Sequence, residues 1–266
     1  MTQTITSRDN SLLRHARAVR EGKVNEEIFV EGLRLSEEAL SSQLSITAVI
    51  YSEEIAQKAR AAKFIADVST VCNRVVAVSE QLLATISYTK TPQGIVVLAE
   101  RPESGQDVLM AATPTAALLI VMHGLNNPVN VGAILRTAEA AGATGVIATT
   151  NTSDPFSPKA LRGAMGSAFR LPIWQGASFG QVLSWCAERD ITTVSADVDG
   201  PTLYSDYDWK TPSAIVVGPE ARGLSRAEVA ETKTAVMIPM KGHVESLNVA
   251  VAAAIVLYEA ARQRSS

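Results

Sequence analysis

Hydrophobic and polar positions follow two patterns along the chain, and the change falls near residue 101. Before it, stretches with a helical period alternate with short apolar strands. The helical ones are SLLRHARAVREGK (11–23), EGLRLSEEALSS (31–42) and SEEIAQKARAAK (52–63). The strands are IFVEG (28–32), ITAVIYS (46–52), RVVAVS (74–79) and GIVVLAE (94–100). This predicts a small α/β domain over residues 1–100. The stretch RPESGQDVLMAATPT (101–115) mixes Pro, Gly, Ser and acidic residues with neither period and reads as a linker. Residues 116–266 form the second domain. It carries continuous apolar runs, AALLIVMHGL (116–125), GVIATT (145–150), TTVSAD (192–197), SAIVVG (213–218) and AVMIPM (235–240), separated by helical stretches. Such runs predict a parallel α/β sheet covered on both faces. Ligands of such sheets bind beyond the carboxyl ends of the strands, which directs attention to 126–130, 196–200, 218–223 and 241–248.

The last apolar segment poses a sharper question. From Val249 to Tyr258 every residue is apolar, yet the run opens on Glu245, Ser246 and Asn248. Helix capping accounts for Ser and Asn at such a position. A ligand site at the helix mouth is the sharper alternative to this commoner one, and both readings stay open at this point.

Bulk properties narrow the classes. The 266 residues are 47% hydrophobic and 19% charged, the balance of a globular protein with ample core. No run reaches the length needed to cross a bilayer, and the N-terminus lacks the apolar segment of a secretory signal, so a cytoplasmic protein without a membrane partner is expected. Cys72 and Cys186 fit no metal or redox spacing and read as packed, reduced thiols, and no set of His, Cys and acids has metal-ligand spacing. A net charge of −3 weighs against coating nucleic acid by bulk electrostatics. The first 25 residues nevertheless hold Arg8, Arg14, Arg17, Arg20 and Lys23 against Asp9 and Glu21. Of these, Arg14, Arg17, Arg20 and Lys23 are candidate nucleic-acid contacts, with a solvated helix face as the plain alternative.

Three motifs follow strands in the second domain. In NNPVNVGAILRTAEAAGATG (126–145), Asn130 stands just before an amphipathic helix, and Arg136 falls off its apolar face. In VVGPEARGLS (216–225), Gly218 and Gly223 flank Glu220 in a tight loop. In MIPMKGH (237–243), Pro239 and Gly242 lead into Ser246-Leu247-Asn248. None of these is a phosphate-binding glycine loop. His243, His15 and His123 show no carboxylate partner in the sequence and read as loop or surface residues rather than bases.

In this order, NPVNVGAILRTA, VGPEARGLS and IPMKGHVESLNVAVA resemble the SpoU family of RNA ribose 2′-O-methyltransferases across the whole second domain. The first domain, with IFVEGLRLSEEAL and TPQGIVVLAE, resembles the RNA-binding domain that many members carry in front. The resemblance implies a parallel sheet threaded into a trefoil knot and a homodimer. It also implies S-adenosylmethionine held by Gly218, Ile238 and Leu247, with Ala196 a further member, and no metal. Asn130, Glu220, Ser246 and Asn248 would form a polar wall, and Arg136 would arrive from the neighbouring subunit. A guanidinium stays protonated near neutral pH, so Arg136 is expected to position and stabilise charge rather than act as a base. The expected substrate is a ribose 2′-hydroxyl of RNA, with 23S ribosomal RNA favoured over transfer RNA. The alternatives are a transfer RNA enzyme and a non-catalytic dimeric RNA-binding protein. Gly-Pro-Glu at 218–220, where many relatives have Gly-Asn-Glu or Gly-Ser-Glu, removes one backbone donor from the loop.

Overall fold

The computed structural model describes residues 3–112, 116–220, 222–242 and 244–265. His243 and residues 113–115 of the expected linker lie outside them. The chain divides into two compact units, 1–102 with 156–170, and 103–155 with 171–266.

The first unit is built on five strands, β1 (Gln3–Ile5), β2 (Glu27–Glu31), β3 (Ile46–Ser52), β4 (Val75–Val78) and β5 (Ile95–Glu100). They lie in the order β1-β4-β3-β5-β2, with β5 antiparallel to both β2 and β3. Helices α1 (Ser11–Arg20), α2 (Leu33–Ser41), α3 (Ala59–Val68) and α4 (Glu80–Ile86) complete it. Asn10 caps α1, and Leu12, Leu13, Ala16 and Val19 recur at helical spacing to seal one sheet face with Leu83 and Ile86 of α4. Alternate strand residues Phe29, Ile50, Val76 and Leu98 meet them from the sheet. The third expected helix starts later than its pattern suggested, because Ile55–Gln57 forms a separate 3₁₀ turn before α3.

The second unit centres on a seven-stranded, all-parallel sheet. In chain order its strands are β6 (Leu118–Met122), β7 (Gly145–Thr149), β8 (Ile173–Ala177), β9 (Thr192–Ala196), β10 (Thr202–Leu203), β11 (Ser213–Val217) and β12 (Thr234–Met237). Across the sheet the order is β10-β12-β9-β11-β6-β7-β8. The expected parallel sheet is therefore present, with β8 and β10 added at its edges. Helices α5 (Gln106–Ala112), α9 (Phe179–Ala187) and α10 (Arg226–Glu231) belong to this unit, as do α6 (Pro128–Ala140) and α11 (Val249–Arg264). Leu109, Val182, Trp185 and Val229 share a core with Leu119, Val121, Ala214 and Val216. The alternating residues Leu118, Ile120, Met122, Ile215 and Val217 point to the opposite face, where α6 and α11 pack against each other. Both cysteines are free and buried, and burial pushes the Cys186 thiol up to about 12.

Two expectations change here. Part of the stretch 101–115 is helix α5, whose fully buried Leu109 anchors it to the core, so it is not a bare linker. Residues 156–170 carry α7 (Pro158–Ala164) and α8 (Ser167–Arg170) and cluster with the first unit. There α7 lies against β2, and Arg170 Nη1 donates to Glu38 Oε2 at 2.6 Å. No helix among the described residues is long and apolar enough to cross a membrane.

The C-terminus of α11 is tied down by hydrogen bonds rather than by apolar contact alone. Arg264 donates to the carbonyls of Trp209, Ala116, Ala117 and Thr211 at 2.6–2.9 Å. Gln263 accepts from the Trp209 amide at 3.0 Å and donates to the Tyr207 carbonyl at 3.1 Å. The carbonyls of Trp209 and Ala117 belong to buried residues, where an unpaired acceptor would be costly.

Candidate active site

The loops after β9, β11 and β12 converge at the carboxyl end of the sheet around a cavity of about 530 Å³. That is within the range of small-molecule sites. Ala196, Asp197 and Val198 follow β9. Gly218, Pro219 and Glu220 follow β11, and Leu224 closes the same loop. Ile238, Met240 and Glu245 to Val249 lead from β12 into α11. Gly218 fits where a side chain would not. A Cβ there would lie 2.6 Å from the Leu224 amide nitrogen and 2.8 Å from the Gly223 carbonyl carbon. Gly218→Ala is thus expected to displace the loop and weaken cofactor binding about tenfold. Calorimetric titration checks this, and unaltered affinity would show that the loop tolerates the shift.

One polar network joins all three motifs. Glu220 Oε1 accepts from the Asn127 amide and from Asn130 Nδ2, both at 3.2 Å, and Glu220 Oε2 accepts from the Asn126 amide at 3.3 Å. Asn130 Oδ1 in turn accepts from Asn248 Nδ2 at 3.2 Å. Burial works to raise the Glu220 carboxyl. The opposing hydrogen bonds, from its own backbone and from Asn130, Asn127 and Asn126, prevail and hold it below the usual carboxylate range.

The local roles of these residues differ from the sequence reading in two ways, at Asn130 and at Ser246. Asn130 lies inside α6 rather than before it, and the cap is Asn127, whose side chain accepts from the Val129 amide at 3.0 Å. Asn130 is buried and free to face the network. Asn248 does cap α11, accepting from the Ala250 amide at 2.9 Å with Oδ1 while Nδ2 reaches Asn130. Asn248 thus caps the helix and also lines the cavity at its mouth. Ser246 makes no such cap and lines the cavity instead.

Of the expected cofactor residues, Gly218, Ile238, Leu247 and Ala196 all line the cavity. Arg136 does not. It is exposed on α6 and is not among the described residues that line the cavity. In the first unit, the expected RNA contacts have structural work. Arg17 donates to Thr85 Oγ1 and to the Arg8 carbonyl, Arg20 to the Ser87 carbonyl, and Lys23 pairs with Glu21 at 2.6 Å. Arg14 is exposed.

Two histidines have carboxylate partners that the sequence did not show. His15 bonds Glu27, and His123 bonds Glu228 and Thr149, each at 3.0 Å, with Phe179 stacked 4.4 Å from its ring. Glu228 is held down at about 2, chiefly by the Ser225 backbone amide of its capping box. Neither histidine lines the cavity. Asp197 and Glu245 lie in the stretches singled out but were given no role there, and Met240 falls outside those stretches; all three line the cavity. Their only sequence signal is position, one to eight residues beyond a strand. Among the described residues no group of His, Cys, Asp and Glu could hold a metal ion.

The lining suits a cofactor that combines an apolar face with polar groups and a positive charge. Leu224, Ile238, Met240 and Leu247 supply apolar wall, and Asp197 and Glu245 supply carboxylates. A parallel α/β sheet with such a cavity at its carboxyl ends, closed by the helix that follows the last strand, defines a cofactor-binding α/β protein. The chain belongs to the SpoU rRNA Methylase family, whose pattern matches residues 117–258, while an MRM3-like substrate binding domain matches residues 13–97.

The relatives agree with that membership. An uncharacterized tRNA/rRNA methyltransferase of Mycobacterium leprae is 38% identical over 59% of this chain and 52% of its own length. The chain thus spans about half the length of that relative. A 23S rRNA (uridine(2479)-2′-O)-methyltransferase of Streptomyces viridochromogenes is 34% identical over 74% of this chain and 70% of its own. The crystal structure of an AdoMet-bound rRNA methyltransferase from Sinorhizobium meliloti superposes with a TM-score of 0.86 at 29% identity, covering 98% of each chain.

Proposed function

We propose that this protein methylates a ribose 2′-hydroxyl of RNA, with S-adenosylmethionine as methyl donor and ribosomal RNA as the favoured substrate over transfer RNA. The observation that carries this reading is the Glu220–Asn130–Asn248 network. It draws one residue from each of the three family motifs to the edge of a single cavity. The names of the Streptomyces and Sinorhizobium proteins support the substrate and the cofactor. Bound S-adenosylmethionine supplies an electrophilic methyl group on a sulfonium.

The chain's own residues do the rest by placement. Gly218, Ile238, Leu247 and Ala196 hold the cofactor, largely through backbone and apolar contact. Asp197 and Glu245 favour its positive charge. Glu220 fixes the 126–127 loop and the Asn130 amide, and so sets the wall against which the ribose is oriented. Ser246 offers a hydroxyl to the same wall. Arg136, permanently charged, fixes a phosphate or the reacting hydroxyl by charge and donor geometry. The first domain grips the RNA, with Arg14, Arg17, Arg20 and Lys23 on its basic side. A cytoplasmic location goes with an RNA substrate. The trefoil knot belongs to the same reading.

The reading includes a homodimer in which Arg136 serves the partner's cavity. Its support is the exposed apolar stripe of α11. Val251 is 48% and Tyr258 55% exposed, about two helical turns apart on a helix whose buried side packs on α6 and β11. Such a stripe is costly on a monomer's surface. Tyr258→Asp is expected to convert a dimer to monomer in light scattering and to abolish methyl transfer with it. A monomeric wild type would remove the dimer.

Methyl-labelled S-adenosylmethionine with unmodified RNA, followed by alkaline hydrolysis, tests the chemistry. A 2′-O-methyl group blocks cleavage at its own nucleotide, so label in dinucleotides is expected. Label in mononucleotides would mean base methylation and would refute the reading.

A further inference from the structure

The loop that follows α4, SYTKTPQ (87–93), carries an aromatic ring that the core does not use. Tyr88 is 45% exposed, although Leu83 and Ile86 just before it are fully buried. The backbone beneath that ring is firmly held. Glu31, at the end of β2, accepts from the Ser87 hydroxyl, from the Tyr88 amide at 2.7 Å, from the Thr89 amide at 3.2 Å and from the Thr89 hydroxyl at 2.7 Å. From α1, Arg20 donates to the Ser87 carbonyl at 2.9 Å, and Arg17 donates to Thr85 Oγ1 at 3.3 Å. A carboxylate with both oxygens engaged and a guanidinium thus fix a loop whose exposed residues, Tyr88, Lys90, Thr91 and Gln93, include one aromatic ring and one cation.

Rigid support for an exposed ring makes sense if the ring meets something flat. Burial does not require it, since the ring is outside the core. Arg20 of α1 reaches the carbonyl of Ser87, the residue before Tyr88, and Lys90 lies two residues after it, so cationic side chains border the loop on both sides of the ring in sequence. Aromatic rings interleaved with cations are how proteins hold unpaired bases and their phosphates.

We propose that the 87–91 loop is an RNA contact in which Tyr88 stacks on an unpaired base of the substrate while Lys90 meets a neighbouring phosphate. The proposal rests on the RNA-methyltransferase reading and adds to it where and how the first domain holds RNA. Arg17 and Arg20 then act twice, bracing the loop and presenting charge beside it.

The test is the affinity of the full-length protein for an in vitro transcript of 23S ribosomal RNA, by filter binding over a range of salt. Tyr88→Ala is expected to weaken binding about tenfold, and Tyr88→Phe to leave it unchanged, since the face of the ring carries the contact. Lys90→Ala is expected to lower the slope of log affinity against log salt by about one, whereas Tyr88→Ala leaves that slope as it is. Equal binding by Tyr88→Ala and wild type, with both folded by thermal melting, would overturn the proposal. So would a loss in Tyr88→Phe as large as in Tyr88→Ala, which would assign the contact to the hydroxyl. Wild-type protein that binds S-adenosylmethionine but retains no RNA would remove the underlying reading, and the stacking contact with it.

Discussion

Replacing Arg136 with alanine is expected to lower the rate of methyl transfer about a thousandfold while leaving the fold and cofactor affinity intact. The expectation follows from where the structure puts this residue. Arg136 is exposed on α6, while its neighbours Ile134, Leu135 and Ala138 are fully buried, so truncating it opens no cavity. It lines no part of its own chain's cavity among the described residues, so cofactor binding loses nothing directly. On the proposed dimeric reading, what is lost is a fixed positive charge that holds the reacting hydroxyl in the partner's cavity. Single-turnover kinetics with saturating RNA and cofactor checks the size of the effect, and calorimetry checks the binding. Lysine at this position restores the charge but not the fork of donors, and is expected to recover only part of the rate. Full activity in Arg136→Ala would remove the residue from the reaction.

Glu220→Gln tests the other half of the site and is expected to cost about a hundredfold in kcat/KM. The carboxylate has three N–H donors converging on it from 126, 127 and 130. A glutamine keeps one oxygen and turns an amide toward donors, so at least one of them loses its acceptor. Asn130 then loses the bond that sets its orientation, and Asn248 loses its fixed partner. The change is nearly isosteric, so a loss of this size would report the network rather than packing. The hydrogen bonds that depress the Glu220 carboxyl also give the site a pH signature. A folded value below the unfolded one, near 4.3, means that the stabilisation is complete above that pH and fades as pH falls through the folded value. Cofactor affinity of the wild type is expected to decline on that acid side, and the Gln variant to lack this component. Identical acid profiles would show that Glu220 does not govern it.

The sheet was legible because its strands are buried on both faces and so read as unbroken apolar runs. The exceptions explain themselves. β8 carries Trp174, Gln175 and Gly176 beside a register shift against β7, which breaks the run, and β10 has only two residues. Helix α5 escaped because its single buried anchor, Leu109, leaves no period to detect in seven residues. At the site, the four stretches singled out at strand ends do converge. Their division of labour was not legible, because it depends on contacts between residues some 90 to 118 positions apart. Asn127 and Asn130 look alike in sequence, and only the start of α6 decides that one caps and the other faces Glu220. The partners of His15 and His123 were hidden for the same reason, with Glu228 lying 105 residues from His123. Arg17 and Arg20 looked like a free basic face, and α4 turned out to use them.

The excursion of residues 156–170 into the first unit bears on how such a protein could be assembled or dismantled. The chain passes between the units after residue 102, again after 155 and once more after 170. A cut in the 101–115 stretch would therefore not separate two modules. It would strip the cover from Ala160, Leu161 and Ala164, which are fully buried. The front domain is better regarded as stitched in than appended. Any exchange of it for another, by recombination or by design, must carry α7 and α8 along or rebuild the surface on which they rest.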